Sequence, residues 1–220
     1  MIILSDLSEV MISGIVGTEK IIAARYGKAA GRKFHERHSE VNHVFCDLLR
    51  GNMTENEYWG IFFKEGEWSF GVDEAKAAFG ENMTHTIDGT LKLYQRIISY
   101  PRSLSGEFGM ASGMPTIYIV SDHIAERINE IKAEHLDVFR IVKDEFWSCD
   151  MGLIKSDPGF FPRLLKDGLL KPDEVLFIDD NPINVIAALK SGITGIRFHN
   201  AKQLETVLRD TYGFRFAPEL

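Results

Sequence analysis

Residues 1–10 read Met1-Ile-Ile-Leu-Ser-Asp6-Leu-Ser8-Glu-Val10, an apolar run that stops at a serine and an aspartate. A short run without polar interruptions is typical of a parallel strand that is buried on both faces. Similar runs predict further strands at four places, namely residues 116–121, 139–142, 174–179 and 193–198. The sequence therefore indicates one parallel sheet whose first strand ends at Asp6.

Helical periodicity separates the later strands. It predicts helices at residues 125–134, 160–166, 185–190 and 202–211. We expect Asp157-Pro158 to open the second of these helices, because proline is favoured at the first helical position. Strands that alternate with helices fold into a doubly wound parallel sheet with helices on both faces. The predicted fold class is therefore α/β and Rossmann-like.

The interval from about residue 17 to about residue 80 has helical patterns and no convincing strand. We expect helices at residues 21–26, 38–49 and 55–63, with Thr54 as the N-cap of the third. These patterns predict a small helical cap domain inserted after the first strand.

The predicted domain boundaries follow from this insertion. Residues 1–14 and 84–220 are assigned to the α/β core, and residues 15–83 to the helical cap. Residues 101–115 contain three glycines and two prolines, which is typical of a surface loop.

Composition limits the range of functions. The 220 residues are 45% hydrophobic and carry a net charge of −7, and no basic run with interleaved aromatic residues is present, so a nucleic-acid partner is not expected. Cys46 and Cys149 match no metal-ligand spacing and are expected to be reduced thiols. No stretch has the roughly 18 apolar residues of a membrane span or the pattern of a signal peptide, so we expect a cytoplasmic protein. The sequence does not indicate an oligomeric state.

Polar side chains stand where the predicted strands end. Asp6 follows the first strand, Ser121 and Asp122 the second, and Asp179 and Asp180 the fourth. A single aspartate after a strand is more often the N-cap of the next helix than a ligand. However, ligands of open parallel sheets bind at the carboxyl ends of the strands, and carboxylates gathered there repel one another unless a cation joins them. The set predicts a site for a hard divalent metal.

A lysine accompanies these acids. Lys155 lies in Gly152-Leu-Ile-Lys-Ser-Asp-Pro-Gly-Phe-Phe161, in a predicted loop near the same edge of the sheet. A single lysine is normally a solvated surface charge, but here its ammonium could join a phosphate to a carboxylate.

Four motifs in this order resemble the haloacid dehalogenase-like hydrolase superfamily, specifically its phosphatase-type subfamily I branch with a helical cap. Ser5-Asp6-Leu7-Ser8-Glu9-Val10 is similar to the family's D-x-D-x-T/V motif, and Ser121 stands at the position of its second motif. The segment around Lys155 is similar to G-x-x-K-P-D-P-x-x-F. Phe177-Ile-Asp-Asp-Asn-Pro-Ile-Asn184 is similar to the acidic fourth motif.

The resemblance implies a Mg²⁺-dependent phosphatase that acts on a small phosphorylated metabolite. Asp6 would be the nucleophile and would form an aspartyl-phosphate. Mg²⁺ would be held by Asp6, the backbone carbonyl of Ser8 and Asp180, with Asp179 acting through water or behind these ligands. Ser121, with Asp122 beside it, and Lys155 would form the phosphate-binding site.

Ser8 departs from the pattern, because phosphatases of this type carry a second aspartate there for proton transfer, a function worth about 10²- to 10⁴-fold in rate. One reading is a phosphatase whose proton is carried by Glu9, Asp122 or His123. A second is a long-lived phosphoenzyme, as in the family's ion pumps. A third is chemistry on a carbon–phosphorus or carbon–halogen bond, although the dehalogenases use no metal. A fourth is a weak or non-catalytic protein that binds a phosphorylated ligand.

Other positions carry weaker signals. The sequence suggests Thr18, Glu19 and Lys20, with residues 50–52, as the first specificity positions to test. His35 and His38 have the spacing of a helical metal pair, but we interpret them as a solvated helix face because no third ligand is in register. Trp59 and Trp68 are interpreted as core of the cap. A small cap favours a substrate that can be enclosed, such as a sugar phosphate or a nucleotide.

Overall fold

A computed structural model of the chain describes residues 1–100 and 115–218. Its centre is a parallel sheet whose strands are β1 (Ile2–Ser5), β2 (Thr116–Ser121), β3 (Val142–Trp147), β4 (Val175–Asp179) and β5 (Thr194–Arg197). The order across the sheet is β3-β2-β1-β4-β5. The prediction of a Rossmann-like α/β sheet is confirmed. The loop expected at residues 101–115 lies outside the described residues except for Pro115.

The first strand lies in the middle of the sheet. It pairs in parallel with β2 and with β4, so that Ser5 is opposite Ile119 on one side and Ile178 on the other. Asp6 continues this pairing, since its N–H donates to the carbonyl of Ile178 at 2.8 Å. This register brings the carboxyl ends of the three central strands together.

Both faces of the sheet are covered, which explains why the central strands are apolar throughout. Ile3 belongs to a core on one face, and Leu4 belongs to a second core on the other. The helices that follow residue 83 are α6 (Thr90–Ile98), α7 (Ile128–Glu134), α8 (Leu136–Phe139), α9 (Ser148–Met151), α10 (Phe160–Asp167), α11 (Pro182–Lys190) and α12 (Ala201–Tyr212).

The prediction of a strand at residues 139–142 is wrong. Phe139 ends α8, and β3 runs from Val142 to Trp147. Among the described residues this strand pairs with β2 alone, and it includes Lys143 and Asp144, which are exposed. An edge strand needs only partial burial, so its sequence lacks the apolar run that identified the others.

Two helix starts also differ from the predictions. Residues 125–127 form a 3₁₀ turn before α7 begins at Ile128. The helix expected to open at Asp157-Pro158 begins at Phe160 after Gly159, because the Asp157 carboxylate accepts from the N–H of Ile154 at 3.0 Å and closes a turn there.

Five helices precede residue 84, namely α1 (Thr18–Tyr26), α2 (Lys28–Glu40), α3 (Asn42–Leu49), α4 (Glu55–Phe62) and α5 (Val72–Met83). The single helix predicted at residues 38–49 is divided at Val41, and the sequence reading missed most of α2 and all of α5. Thr54 caps α4 as predicted, since its hydroxyl accepts from the N–H of Glu57. Helices α1 and α2 approach so closely that a Cβ on Gly31 would lie 2.5 Å from the carbonyl oxygen of Glu19.

An aromatic cluster fills the centre of this helical segment. The rings of Phe34, Tyr58, Trp59 and Phe62 are buried, and neighbouring rings lie 5.0 to 6.2 Å apart between centroids. Such packing stabilises a small helical unit that has no sheet of its own. Within the described residues, no helix has the length and apolar character that crossing a membrane requires.

Candidate functional site

Three carboxylates meet at the carboxyl end of the central strands. Asp6 follows β1, Asp179 ends β4, and Asp180 is the next residue. Each of them offers an oxygen that lies within 4.8 Å of the other two. Asp6 is 5% exposed and Asp179 is fully buried, whereas Asp180 is half-buried. The strand register thus assembles the acidic set that the sequence predicted.

Lys155 reaches into this acidic cluster. Its Nζ lies 2.7 Å from Oδ2 of Asp6 and 2.7 Å from Oδ2 of Asp179, and only 1% of the residue is exposed. The loop that carries Lys155 is fixed to the end of β2, because its backbone N–H donates to Oδ1 of Asp122 at 2.9 Å. The lysine therefore contacts the predicted nucleophile directly.

Burial and neighbouring charges shift the pKa of several groups in this cluster. Burial alone would lower the pKa of Lys155, but the carboxylates of Asp179 and Asp6 outweigh this effect and hold its pKa above the ordinary value. Burial also raises the pKa of Asp6, with the charge of Asp179 adding to it and Lys155 opposing it. The pKa of Asp180 is raised by burial and by Asp179. Three carboxylates against one ammonium fit a divalent cation, which would stabilise all of them in the charged form.

Asp179 is held in place by the start of α11. Its Oδ1 accepts from the N–H of Asn181 at 2.8 Å, and the amide of Asn184 lies 3.2 Å from each of its oxygens. Asn181 in turn caps α11 by accepting from the N–H of Ile183. The role of Asn184 was missed by sequence reasoning, although its place one turn into the helix after the acidic pair is a usable signal.

A tight turn places Ser8 beside Asp6. The N–H groups of Met11 and Ile12 donate to the carbonyl of Leu7, and Glu9 has a φ of 61°, which is uncommon for a residue with a side chain. The carboxylate of Glu9 accepts from the N–H of Gly14 at 2.7 Å. Gly14 leaves room next to Ser8, since a Cβ there would lie 3.0 Å from the Cβ of Ser8.

Ser121 ends β2 with a fully buried side chain. Its Oγ has no hydrogen-bond partner among the described residues. A buried hydroxyl without a partner costs about 1–3 kcal/mol, so it fits a group that binds an incoming oxygen.

The two residues after Ser121 differ in character. Burial raises the pKa of Asp122 to about 6, with Lys155 opposing and Asp179 and Asp157 adding to the effect. Burial lowers the pKa of His123 to about 4. Its Nδ1 accepts from the N–H of Ile124 at 2.8 Å, so the neutral ring carries its proton on Nε2.

A cavity of about 200 Å³ opens above these groups. Of the nucleophile, metal and phosphate-binding residues predicted from the sequence, Asp6, Ser8, Asp122, Lys155 and Asp180 line it, whereas Ser121 and Asp179 are fully buried and are not among the lining residues. Glu9, His123, Asn181 and Asn184 complete the polar end. The opposite end is apolar and includes Phe45, Leu49 and Phe79 of the helical segment, which the sequence did not separate from ordinary core residues.

The specificity positions suggested by the sequence do not line this cavity. Thr18 is fully buried, and neither Glu19 nor Lys20 is among the lining residues. Arg50 instead forms a two-pronged ion pair with Asp157, with N–O distances of 2.9 and 2.8 Å. This pair connects the helical segment to the loop that carries Lys155.

The remaining sequence signals are structural. Cys46 and Cys149 are free thiols. Nδ1 of His38 lies 3.0 Å from the hydroxyl of Tyr58, and the only group of possible metal ligands within the described ranges is the aspartate cluster.

Comparison with known proteins gives distant relatives. The chain is 27% identical over 167 residues to flavin mononucleotide hydrolase 1 of Arabidopsis thaliana, which covers 76% of this chain and 61% of that protein. It is 26% identical over 179 residues to a drimenol cyclase of Aspergillus calidoustus, covering 80% of this chain and 31% of that protein. The chain thus spans less than two thirds of the length of either relative. No family model matches it.

Solved structures match over nearly the whole chain. A haloacid dehalogenase-like family hydrolase of Porphyromonas gingivalis aligns with a TM-score of 0.66 at 18% identity, covering 96% of this chain and 98% of that one. A haloacid dehalogenase family enzyme of Bacteroides thetaiotaomicron, in complex with magnesium and inorganic phosphate, aligns with a TM-score of 0.61 at 16% identity, covering 90% and 94%. These matches show that the chain has the fold of haloacid dehalogenase-like hydrolases.

Proposed function

We propose that the protein is a Mg²⁺-dependent hydrolase of phosphate monoesters that uses Asp6 as its nucleophile. The observation that carries the proposal is the contact between Lys155 and Asp6, 2.7 Å apart, at the polar end of the cavity. A lysine there can neutralise both the attacking carboxylate and the phosphoryl oxygens.

Hydrolysis would take place in two displacements. An oxygen of Asp6 forms a bond to phosphorus while the bond from phosphorus to the ester oxygen breaks, and that oxygen takes a proton and leaves as an alcohol. Water then attacks the phosphorus of the aspartyl-phosphate, the bond to Asp6 breaks, and inorganic phosphate leaves. The unpartnered hydroxyl of Ser121 supports this scheme, since it can donate to a phosphoryl oxygen.

The donor set fits Mg²⁺. Asp6, Asp180 and the backbone carbonyl of Ser8 would hold the ion, and Asp179 would support it from behind, because all of these donors are oxygens and Mg²⁺ prefers oxygen ligands. When bound, the ion would shield the negative charges of nucleophile and substrate from each other. The Bacteroides enzyme, which shares this fold, was solved with magnesium and inorganic phosphate, and this supports Mg²⁺ as the ion.

The proton in our scheme is carried by Asp122. Glu9 and Asp122 each accept from a backbone N–H, but of the two carboxylates Asp122 is the one bound to Lys155, which contacts Asp6. The low pKa of His123 keeps its ring neutral near pH 7. Asp122 lines the cavity, and its pKa of about 6 allows it to hold a proton near neutral pH and to release it to a leaving oxygen. In this way Asp122 would replace the carboxyl group that Ser8 lacks.

The segment of residues 15–83 would act as the cap domain. It supplies one wall of the cavity, and the Arg50–Asp157 pair ties it to the loop of Lys155. A wall of this kind excludes water from the reaction and reads the non-reacting part of a small metabolite.

A second candidate function is binding of a phosphorylated ligand without turnover. It is favoured by Ser8, because a serine hydroxyl cannot exchange protons near neutral pH as a carboxyl can.

Turnover distinguishes the two candidates. We would assay release of inorganic phosphate from alkyl, sugar and nucleoside monophosphates with Mg²⁺, comparing the protein with Asp6→Asn and with Asp173→Asn, a control at an exposed aspartate. The proposal predicts activity that is lost only in Asp6→Asn. Binding of phosphate esters with no turnover of any of them would exclude the hydrolase and favour the second candidate.

A further inference from the structure

The cavity is divided into a polar and an apolar end. The carboxylates, Lys155 and the asparagines line one end. The residues from 15 to 83 that line the other end are Ile15, Val16, Phe45, Leu49 and Phe79, all of them apolar. The part of a substrate that points away from its phosphate therefore meets hydrocarbon.

Two polar side chains of the helical segment near this wall, Arg50 and Asn82, already have partners within the protein. Arg50 is bound to Asp157, and the side-chain amide of Asn82 donates to the carbonyls of Gly14 and Val16 at 2.7 and 2.9 Å. Using either group for a substrate hydroxyl would break a hydrogen bond of the protein.

A similar constraint applies to Glu55. Its carboxylate accepts from Arg127 at 2.6 Å and from the indole N–H of Trp59 at 2.9 Å. The wall thus offers no free hydrogen-bonding side chain among the described residues that line it.

The apolar wall is also held in shape. The ring of Phe45 packs against His38 and Tyr58, with centroids 4.9 and 5.3 Å away. Phe79 lies under the guanidinium of Arg127 at 5.2 Å. The carbonyl of Leu49 accepts from the hydroxyl of Ser148 at 2.6 Å. Such fixed side chains form a preorganised surface.

The cavity is small. Its volume of about 200 Å³ must accommodate the phosphoryl group as well. Sites for drug-sized ligands measure about 300–1,000 Å³, so a nucleotide would not be enclosed here. Sugar hydroxyls would be buried against hydrocarbon without partners, at about 1–3 kcal/mol each.

We infer, on the basis of the proposed function, that the alcohol esterified to phosphate is a small apolar one, a short alkyl, alkenyl or aryl group rather than a sugar or a nucleoside. Phe45, Leu49 and Phe79 select it, and Lys155 and the acidic cluster hold its phosphate. This substrate class replaces the sugar phosphate or nucleotide that the size of the cap alone had suggested.

The direct test compares esters that differ only in the apolar part. We would measure kcat/KM for methyl, ethyl and propyl phosphate and for glycerol 3-phosphate, which has the carbon chain of propyl phosphate with two added hydroxyls. Each buried methylene is expected to raise kcat/KM about fourfold, from about 0.8 kcal/mol per CH₂. Propyl phosphate is expected to exceed glycerol 3-phosphate by tenfold or more, in the range of about 10- to 200-fold typical of apolar pockets. Equal values, or a preference for glycerol 3-phosphate, would overturn the inference.

A substitution in the wall provides the matched control. Leu49→Gln is expected to reduce the ratio of propyl phosphate to glycerol 3-phosphate, whereas Ile61→Gln, at a 37% exposed residue outside the cavity, should leave the ratio unchanged. A ratio unaffected by Leu49→Gln would mean that this wall does not read the substrate.

Failure of the inference is distinguishable from failure of the hydrolase proposal. Equal turnover of all the esters would leave the hydrolase in place and overturn the apolar specificity. If none is hydrolysed, calorimetric titration with propyl phosphate and glycerol 3-phosphate still decides, since tighter binding of propyl phosphate would support the apolar wall and equal binding would refute it.

Discussion

Asp122→Asn tests how the protein compensates for Ser8. The substitution keeps the side-chain oxygen that accepts from the N–H of Lys155 at 2.9 Å, but it removes the proton that Asp122 would give to the leaving oxygen. General acid catalysis contributes about 10²- to 10⁴-fold, so kcat should fall by that factor, or about 3–5 kcal/mol in activation free energy. Adding Ser8→Asp to the same chain should restore part of the loss, since Ser8 also lines the cavity.

The pH profile identifies the proton donor more directly. Because the first displacement needs protonated Asp122, kcat/KM should decrease above the pKa of about 6, approaching tenfold per pH unit. Asp122→Asn should abolish this limb. We would measure phosphate release from propyl phosphate between about pH 5 and about pH 8. Wild-type activity with an unchanged pH profile in Asp122→Asn would refute the assignment.

The protonation of Asp122 should also make the free energy of unfolding depend on pH. The pKa of Asp122 is raised from 3.8 to about 6, so the folded protein binds the proton more tightly than the unfolded chain does. Its contribution to stability is therefore largest below pH 3.8 and is lost as the pH rises through 6. Asp122→Asn should raise the free energy of unfolding near pH 7 by on the order of 2 kcal/mol, measured with urea without Mg²⁺. A loss of stability at that pH would contradict the sign.

Other substitutions test the charged groups that hold the site together. Asp6→Asn should stabilise the metal-free protein at pH 7, because burial raises the pKa of Asp6, and should reduce the rise in Tm that Mg²⁺ produces, as a thermal shift assay would show. Lys155→Met should cost about 3–5 kcal/mol in urea unfolding by leaving Asp6 and Asp179 unpaired, and a cost near zero would contradict the buried ion pairs. Arg127→Met should cost a similar amount, about 3–5 kcal/mol, and the double variant with Glu55→Gln should recover part of it, whereas additive losses would argue against the pair.

The central strands were predictable because a strand that is buried on both faces has an uninterrupted run of apolar residues. β1, β2 and β4 are apolar runs that end in polar residues, and parallel pairing then determines that Asp6, Ser121 and Asp179 lie at one edge. The edge strand β3 was misplaced because Lys143 and Asp144 are exposed there. Sequence periodicity alone could not distinguish this half-covered strand from a loop.

The polar end of the site was predictable, and the apolar end was not. One aspartate after a strand is commonly a helix N-cap, but several carboxylates gathered at one edge of a sheet repel one another, so Asp6, Asp179 and Asp180 stood out as a set. Phe45 and Leu49 have the spacing of ordinary helical core residues, and only the folding of α3 over the sheet edge turns them into a cavity wall. Arg50 was noticed as a specificity position, but its pairing with Asp157 depends on a contact 107 residues apart in sequence.

The covalent role of Asp6 can be measured by stopping the reaction with acid during turnover of propyl phosphate with Mg²⁺ and locating the phosphoryl group by peptide mass spectrometry. We predict a phosphoryl group on Asp6 that forms only with substrate and is absent from Asp6→Asn. Turnover that persists in Asp6→Asn, with no phosphoryl group found on Asp6 in the unaltered protein, would contradict the proposed mechanism.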